Sequence, residues 1–104
     1  MKVRVLDPAF EDLIAGRQFY DRQQEGVGNY FFTSLFADID SLEEHAGIHR
    51  IKFGYHRMLA SHFPHAIYYR VLEGRAVVYR VLDGRRDPKW IRKALEKTGY
   101  PEVK

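Results

Sequence analysis

Two runs of β-branched and aromatic residues, separated by a short turn, constrain the fold of this chain more than any other feature. The runs cover residues 66–72 and 76–82, and residues 73–75, with Gly74 at their centre, lie between them. Runs of this composition on either side of a glycine-containing turn are typical of a β-hairpin. We therefore expect an antiparallel pair of strands in the second half of the chain.

The register of this hairpin follows from the length of its turn. A turn of three residues predicts the opposing pairs Val71–Val77, Tyr69–Tyr79 and Ile67–Val81. One face of the hairpin is then apolar or aromatic. The other face is mixed and basic, and its residues are Tyr68, Arg70, Leu72, Val78 and Arg80. Because a shift by one residue would turn the arginines into the core, burial favours this register.

Two amphipathic helices are predicted before the hairpin. Asp7 as N-cap and Pro8 at the first helical position indicate a helix that covers residues 8–24. The second helix has apolar residues at helical spacing, namely Phe32, Leu35, Phe36, Ile39 and Leu42. Gly47 is its predicted terminator. The short connection between the two helices predicts an antiparallel helical hairpin.

Short strands and a last helix complete the predicted order. Residues 3–6 form an edge or pairing strand, residues 57–63 form a strand that ends at Pro64, and Asp87 with Pro88 starts the last helix. The residues of this helix expected to pack inward are Trp90, Ile91, Ala94 and Leu95. Its predicted end is at Gly99 and Pro101. The order β-α-α-β-β-β-α indicates an α+β fold, in which the helical hairpin packs on a small antiparallel sheet, in a single domain of residues 1–104.

Composition limits the classes of function open to the chain. At 104 residues the chain is long enough for one small core, and without cysteine it has neither disulfides nor a thiolate zinc site. No apolar run approaches the roughly 18 residues of a membrane span, and the N-terminus reaches an acid and a proline too soon for a signal peptide. We expect a cytoplasmic protein that needs no metal or cofactor.

Charge is unevenly distributed along the chain. The net charge of +3 combines −5 over residues 1–47, which hold 4 Lys/Arg and 9 Asp/Glu, with +8 over residues 48–104, which hold 13 Lys/Arg and 5 Asp/Glu. A basic half on a small domain indicates a polyanion or an acidic protein as partner. The alternative is that the arginines only solvate the surface of the sheet.

The chain leaves the hairpin through a charged turn, residues 83–88, which is the candidate functional end. Arg57, Arg85 and Arg86 are predicted to gather here, and guanidinium groups match phosphate oxygens bidentately. The full candidate set for binding a target or a nucleic acid is Arg57, Arg70, Arg80, Arg85, Arg86 and Trp90. For Trp90, packing in the core is the first interpretation and stacking on a base the second.

The sequence resembles the RelE/ParE superfamily, the toxins of bacterial type II toxin–antitoxin modules that are often called plasmid stabilization proteins. The resemblance covers nearly the whole element order, and its motifs are Arg57, the strand Phe63-Pro64-His65-Ala66-Ile67-Tyr68-Tyr69, and Arg85-Arg86-Asp87-Pro88 followed by Trp90. These motifs are most similar to those of the ParE branch. The resemblance therefore implies a toxin that inhibits DNA gyrase and is neutralised by a cognate acidic antitoxin, as a homodimer or in a heterotetramer.

Two alternatives stay open within this resemblance. A RelE-like protein would be an endonuclease that cleaves mRNA on the ribosome, and an inactive member would only bind its antitoxin. Family members commonly have a histidine near the position of Asp83, which cannot replace it as a proton donor unless its own pKa is strongly raised. No general base stands out among His56, His62 and His65. Catalytic residues thus stay unassigned, and a nuclease would use Arg57, Arg85 and Arg86 to stabilise the transition state.

Overall fold

The computed structural model describes residues 1–98, and its elements follow the predicted order with two short additions, β2 (Ile51–Lys52) and α3 (Leu42–His45). The other strands are β1 (Lys2–Val5), β3 (Tyr55–Leu59), β4 (His65–Leu72) and β5 (Arg75–Asp83). The other helices are α1 (Asp7–Gln23), α2 (Val27–Asp40) and α4 (Pro88–Thr98). Within residues 1–98, no helix combines the length and the apolar character of a membrane span. The predicted α+β fold is confirmed, while the predicted helix end at Gly99 and Pro101 lies outside the described residues.

The five strands form one mixed sheet in the order β1-β5-β4-β3-β2. β1 pairs with β5 in parallel, and every other neighbouring pair is antiparallel. The prediction of a purely antiparallel sheet is therefore wrong. A parallel pair needs a long crossover connection, and the chain between β1 and β5, which includes both long helices, provides it.

The β4–β5 hairpin closes with a two-residue turn instead of the predicted three-residue turn. Leu72 pairs with Arg75, and the turn residues Glu73 and Gly74 have left-handed backbones with φ angles of 49° and 75°. Two-residue turns with positive φ at both positions match the twist of the flanking strands. The pairing next to the turn is therefore shifted by one residue from the prediction.

A β-bulge corrects this shift in the middle of the hairpin. The predicted pair Ile67–Val81 is confirmed, but Tyr69 lies opposite Val78, and the register changes between these two pairs. The predicted pairs that are wrong are Tyr69–Tyr79 and Val71–Val77. The extra residue turns Tyr79 to the face that α4 covers, away from Tyr69. The predicted mixed and basic face of the hairpin is consequently a second apolar core.

Each face of the sheet is covered by helices and holds a core of its own. The helical hairpin of α1 and α2 covers one face, where the buried residues include Leu13, Phe31, Leu35, Ile39, Met58, Ile67, Tyr69 and Val78. On the other face, under α4, the buried residues include Leu6, Tyr55, Tyr68, Val77, Tyr79, Leu82, Ile91 and Leu95. Because both faces are buried, any further slip of register would expose apolar side chains.

The start of α4 confirms one prediction and contradicts another. The backbone N–H of Lys89 donates to the Asp87 carboxylate at 2.8 Å, which is the predicted N-cap with Pro88 as the first helical residue. Trp90 was expected to pack in the core, yet 39% of it is exposed. The inward face of this helix begins one residue later, at Ile91.

Two other predicted boundaries shift for identifiable reasons. α1 begins at Asp7 itself, so that Leu6 occupies the N-cap position without a side-chain cap. The strand predicted for residues 57–63 begins at Tyr55 and ends at Leu59. Its second half is held as a loop by α2, because Asp38 accepts hydrogen bonds from the N–H and the hydroxyl of Ser61 at 2.8 and 2.6 Å.

Candidate functional site

A cleft of about 260 Å³ lies where β5 ends and α4 begins, next to α1. β1 pairs with β5 only as far as Val78. Beyond that residue, the edge of β5 that faces away from β4 lies beside α1 and not beside another strand. The lining side chains that can bind or react are Tyr20, His65, Asp83, Arg86 and Trp90. Three separate parts of the chain therefore contribute to one concave surface, which we call the exit cleft.

Asp83 and Arg85 form an ion pair next to the exit cleft. The Asp83 carboxylate accepts hydrogen bonds from the backbone N–H, Nε and Nη2 of Arg85 at 2.8, 3.1 and 2.7 Å. These side-chain bonds are the main reason why the pKa of Asp83 lies below its usual value. Asp83 is therefore ionised at neutral pH and cannot serve as a proton donor, and it offsets part of the charge of Arg85.

His65 lies directly across the β4–β5 ladder from Asp83. Its ring packs against those of Tyr20 and Phe31, with centroid distances of 6.0 and 4.9 Å. Burial is the main cause that lowers the pKa of His65, and Asp83 opposes this effect. The buried Nδ1 atom has no hydrogen-bond partner among residues 1–98. A neutral imidazole with a free ring nitrogen thus lines the exit cleft.

Tyr20 links the exit cleft to the core. Its ring stacks on Phe31 at a centroid distance of 5.1 Å and meets the edge of Phe63 at 4.9 Å. Burial raises the pKa of the Tyr20 hydroxyl, and the neighbouring Arg85 guanidinium partly offsets that rise. Tyr20 therefore stays protonated at neutral pH, beside the ion pair of Asp83 and Arg85.

Arg86 and Trp90 form the exposed side of the exit cleft. The Arg86 guanidinium lies 3.8 Å from the centroid of the Trp90 ring, one helical turn further along the chain. Guanidinium–indole stacking leaves the N–H donors at the edge of the guanidinium free for a ligand. In contrast to Arg85, Arg86 forms no ion pair with a carboxylate of residues 1–98.

Arg80, a predicted binding residue, holds the fold together instead. Its Nε and Nη2 donate to the two oxygens of Asp12 at 2.7 and 2.9 Å, and its Nη1 donates to the Ala94 carbonyl and the Thr98 hydroxyl at 3.3 and 3.1 Å. The Asp12 carboxylate also accepts the backbone N–H of Val81 at 3.0 Å. Arg80 thus joins α1, β5 and α4, and its donors are not directed at a partner.

Arg57 and Arg70 also lie away from the exit cleft. Arg57 is next to Tyr68, its neighbour across β3 and β4, and weakens the rise in the pKa of the Tyr68 hydroxyl that burial causes. Arg70 stacks on Tyr55 at 4.0 Å and donates from Nε to the Gly54 carbonyl at 3.1 Å. Of the six predicted binding residues, only Arg85, Arg86 and Trp90 lie together.

Sequence reasoning did not assign Tyr20 to the site and named His65 only among three candidate bases. The predicted pair Ile67–Val81 is enough to place His65 at the site, because two further steps along the antiparallel ladder bring His65 opposite Asp83. Tyr20 gives no such signal, because only the packing of α1 against β5 brings it there. Within residues 1–98, no cluster of three or more histidine or acidic side chains could hold a metal ion.

The buried imidazole of His65 predicts a stability that falls on acidification. The folded chain binds a proton at His65 with a lowered pKa, whereas the unfolded chain binds it near pH 6.5. The unfolded state therefore takes up more protons as the pH falls through about 6.5, and the free energy of unfolding decreases from there downward. His49, whose pKa burial also lowers, acts in the same direction.

Urea unfolding of the wild type and of His65→Phe between pH 7.5 and pH 5 measures the contribution of His65. The variant should lose less stability across this range, because it lacks one of the two imidazoles whose pKa burial lowers. Parallel pH profiles for the two proteins would contradict the prediction.

A helical hairpin covers one face of the mixed sheet, and a closing helix covers the other. The chain is similar to a chain in a solved structure described as a chromosomal ParDE TA system from P. aeruginosa, with a TM-score of 0.73 and 17% sequence identity, over 80% of this chain and 95% of that one. No protein-family model matches the sequence, and neither does any curated protein. The fold implied by the sequence resemblance is therefore confirmed.

Proposed function

We propose that this chain is the toxin of a bacterial type II toxin–antitoxin module, that it inhibits DNA gyrase in the cytoplasm as ParE-like toxins do, and that an acidic antitoxin neutralises it. The observation that carries the proposal is a RelE/ParE-like fold whose exit cleft presents Arg86 and Trp90, while both of its carboxylates, Asp12 and Asp83, are paired with arginines. A surface of this kind can bind and trap a partner without catalysing a reaction.

The electrostatics of the exit cleft support a binding role. Asp83 is held ionised by Arg85, so it cannot act as the acid that protonates a leaving oxygen. Trp90 has only an N–H donor and cannot accept or release a proton. Arg86 and Lys89 are both exposed, and the cations of α4 continue the basic surface. Such a surface attracts a polyanion, and the enclosed DNA of a topoisomerase complex is one.

Growth and supercoiling assays test this proposal together. Expression of the chain without an antitoxin should arrest growth, and the purified protein should inhibit supercoiling by gyrase and leave trapped DNA breaks. Co-expression of a small acidic protein from the neighbouring upstream reading frame should restore growth. Growth arrest with unaffected gyrase would refute the target, and absence of growth arrest would leave an inactive protein that only binds its antitoxin.

His65 favours a second candidate function, a RelE-like endonuclease that cleaves mRNA on the ribosome. The imidazole is neutral and lines the exit cleft together with Arg86, and Arg85 lies next to the cleft, so that both arginines could stabilise a phosphate there. A neutral histidine can accept a proton from a 2′-hydroxyl group. The test is to mix ribosomes that carry mRNA with a stoichiometric amount of the protein and to measure cleavage of the mRNA. Intact mRNA would exclude this function.

The chain has two kinds of surface to which the proposed antitoxin can bind. The outer side of the α1–α2 hairpin exposes Phe10 and Ile14, which are 42% and 38% exposed, next to the rings of Phe32 and Phe36. The outer edge of β2 is an end of the sheet and can accept a further strand. An acidic chain that folds on binding could use both surfaces, within a heterotetramer or on a homodimer of the toxin.

A further inference from the structure

A second concave site lies apart from the exit cleft, between the β2–β3 turn, β4 and α4. Its volume is about 320 Å³, and its lining residues are Phe53, Tyr55, Arg70, Arg92, Leu95 and Glu96. None of these residues lines the exit cleft. We call this site the turn pocket.

Arg70 is fixed in the turn pocket in a way that leaves donors free. Its Nε donates to the Gly54 carbonyl at 3.1 Å, and its guanidinium plane stacks on Tyr55 at 4.0 Å and faces Tyr79 at 5.2 Å. No residue of the described chain accepts a hydrogen bond from its Nη groups or pairs with its charge. A guanidinium held in this way is oriented for a bidentate anion before the anion arrives.

Arg92 supplies a second cation to the same pocket. Its guanidinium lies 5.4 Å from the centroid of the Phe53 ring, and the ammonium group of Lys52 lies at the same distance from that ring. Glu96 also lines the pocket but forms no ion pair with either arginine. Arg70 and Arg92 thus bring two positive charges to the pocket against the single negative charge of Glu96, and Lys52 adds a third cation beside the Phe53 ring.

The two-residue turn between β2 and β3 places the Phe53 ring at the turn pocket. Phe53 and Gly54 form a two-residue turn with φ angles of 56° and 84°. A positive φ is strained for a bulky residue and is normally left to glycine, asparagine or aspartate in such turns. Strained residues persist where the surroundings hold them, and they cluster at binding sites.

We propose that the turn pocket binds a carboxylate side chain of an acidic protein segment, which enters as an extended chain along β2. A polypeptide fits better than a nucleic acid for two reasons. β2 directly precedes Phe53, and only a polypeptide can pair with its free edge. The apolar Leu95 suits an acidic segment that also carries apolar side chains, and the repulsion from Glu96 disfavours a continuous phosphate backbone more than a single carboxylate. The inference rests on the proposed function for the source of the segment, the acidic antitoxin.

Peptide binding to the full chain tests the inference independently of toxicity. The probes are a short peptide of alternating glutamate and leucine, the same peptide with glutamine for glutamate, and a single-stranded oligothymidylate of equal length. Backbone amide signals of Phe53 and Gly54 and the side-chain Nε–H signal of Arg70, followed by NMR, report binding at the pocket. The acidic peptide should shift these signals at lower concentration than either of the other probes.

Three variants show which residues contribute to binding of the acidic peptide. Arg70→Gln and Arg92→Gln should each weaken binding of the acidic peptide about tenfold, as expected for a charge-assisted hydrogen bond. Arg22→Gln makes the same change of charge on α1, outside the pocket, and should have little effect. Because Arg70 also donates a hydrogen bond to Gly54, thermal unfolding must show that the Arg70→Gln variant is folded. Arg92 is exposed, so Arg92→Gln gives an independent measure of the pocket's contribution to binding.

Equal affinity for the glutamine peptide, preference for the oligothymidylate, no binding of the acidic peptide, or equal losses in Arg22→Gln would each overturn the inference. Growth arrest and gyrase inhibition are measured separately. An antitoxin that neutralises the toxin without sensitivity to Arg70 or Arg92 would leave the proposed function standing and remove only the turn pocket.

Discussion

Replacing Asp12 with alanine is expected to lower the free energy of unfolding by about 3 kcal/mol, because it removes one partner of a partly buried ion pair. The side chains of Arg80 and Asp12 are 19% and 15% exposed, so water cannot replace the lost carboxylate fully. The substitution leaves two guanidinium donors and the N–H of Val81 without their acceptor. Urea denaturation at pH 7 measures the difference directly.

Two further variants separate the ion pair from a general effect of charge. Glu11→Ala removes the neighbouring but exposed carboxylate and should change stability by less than about 0.5 kcal/mol. The double variant Asp12→Ala with Arg80→Met should recover part of the loss, because no unpaired charge remains in the interior. A loss in Asp12→Ala no larger than that in Glu11→Ala would show that the pair does not join α1 to β5 as described.

Elements whose signal is local could be predicted from the sequence. The helices are predictable because apolar residues recur at helical spacing over several turns, as from Phe32 to Ile39 in α2. The Asp87 cap was recognised because a cap depends on neighbours two or three residues away. The hairpin itself was also recognised, since both of its strands and its turn lie within one short stretch.

Details that depend on distant contacts or on one backbone angle could not be predicted. Glu73 closes the hairpin in a left-handed conformation that its residue type does not suggest, and the register near the turn changed with it. The parallel pairing of β1 depends on a contact with β5 across most of the chain. The structural role of Arg80 depends on Asp12, which lies 68 positions earlier.

The candidate site shows the same division. Arg85, Arg86 and Trp90 lie together because they are close in sequence, and a short turn cannot separate them widely. Tyr20 and His65 come from α1 and β4, and only the packing of these elements brings them beside Asp83. Arg57 and Arg70 were grouped with the exit arginines by residue type, but the strand directions place them elsewhere.

Reversing the charge of Arg86 is expected to weaken growth arrest by the chain strongly. Asp83 neutralises part of the charge of Arg85, whereas Arg86 has no carboxylate partner within residues 1–98 and stacks on the exposed face of Trp90. Arg86 is therefore the guanidinium of the exit cleft most available to a partner. Arginine beside a tryptophan is also the combination that dominates many binding interfaces.

The inducer concentration needed for growth arrest and the protein concentration that inhibits gyrase by half should both rise at least about tenfold in Arg86→Glu, as for the loss of a dominant interface residue. Arg86 is exposed, so circular dichroism and thermal unfolding should match the wild type. Arg22→Glu makes the same reversal on the outer side of α1 and should stay as toxic as the wild type. Full toxicity of Arg86→Glu would mean that the target contacts another surface, and equal losses in both variants would mean that net charge, rather than the exit cleft, governs the encounter with the target.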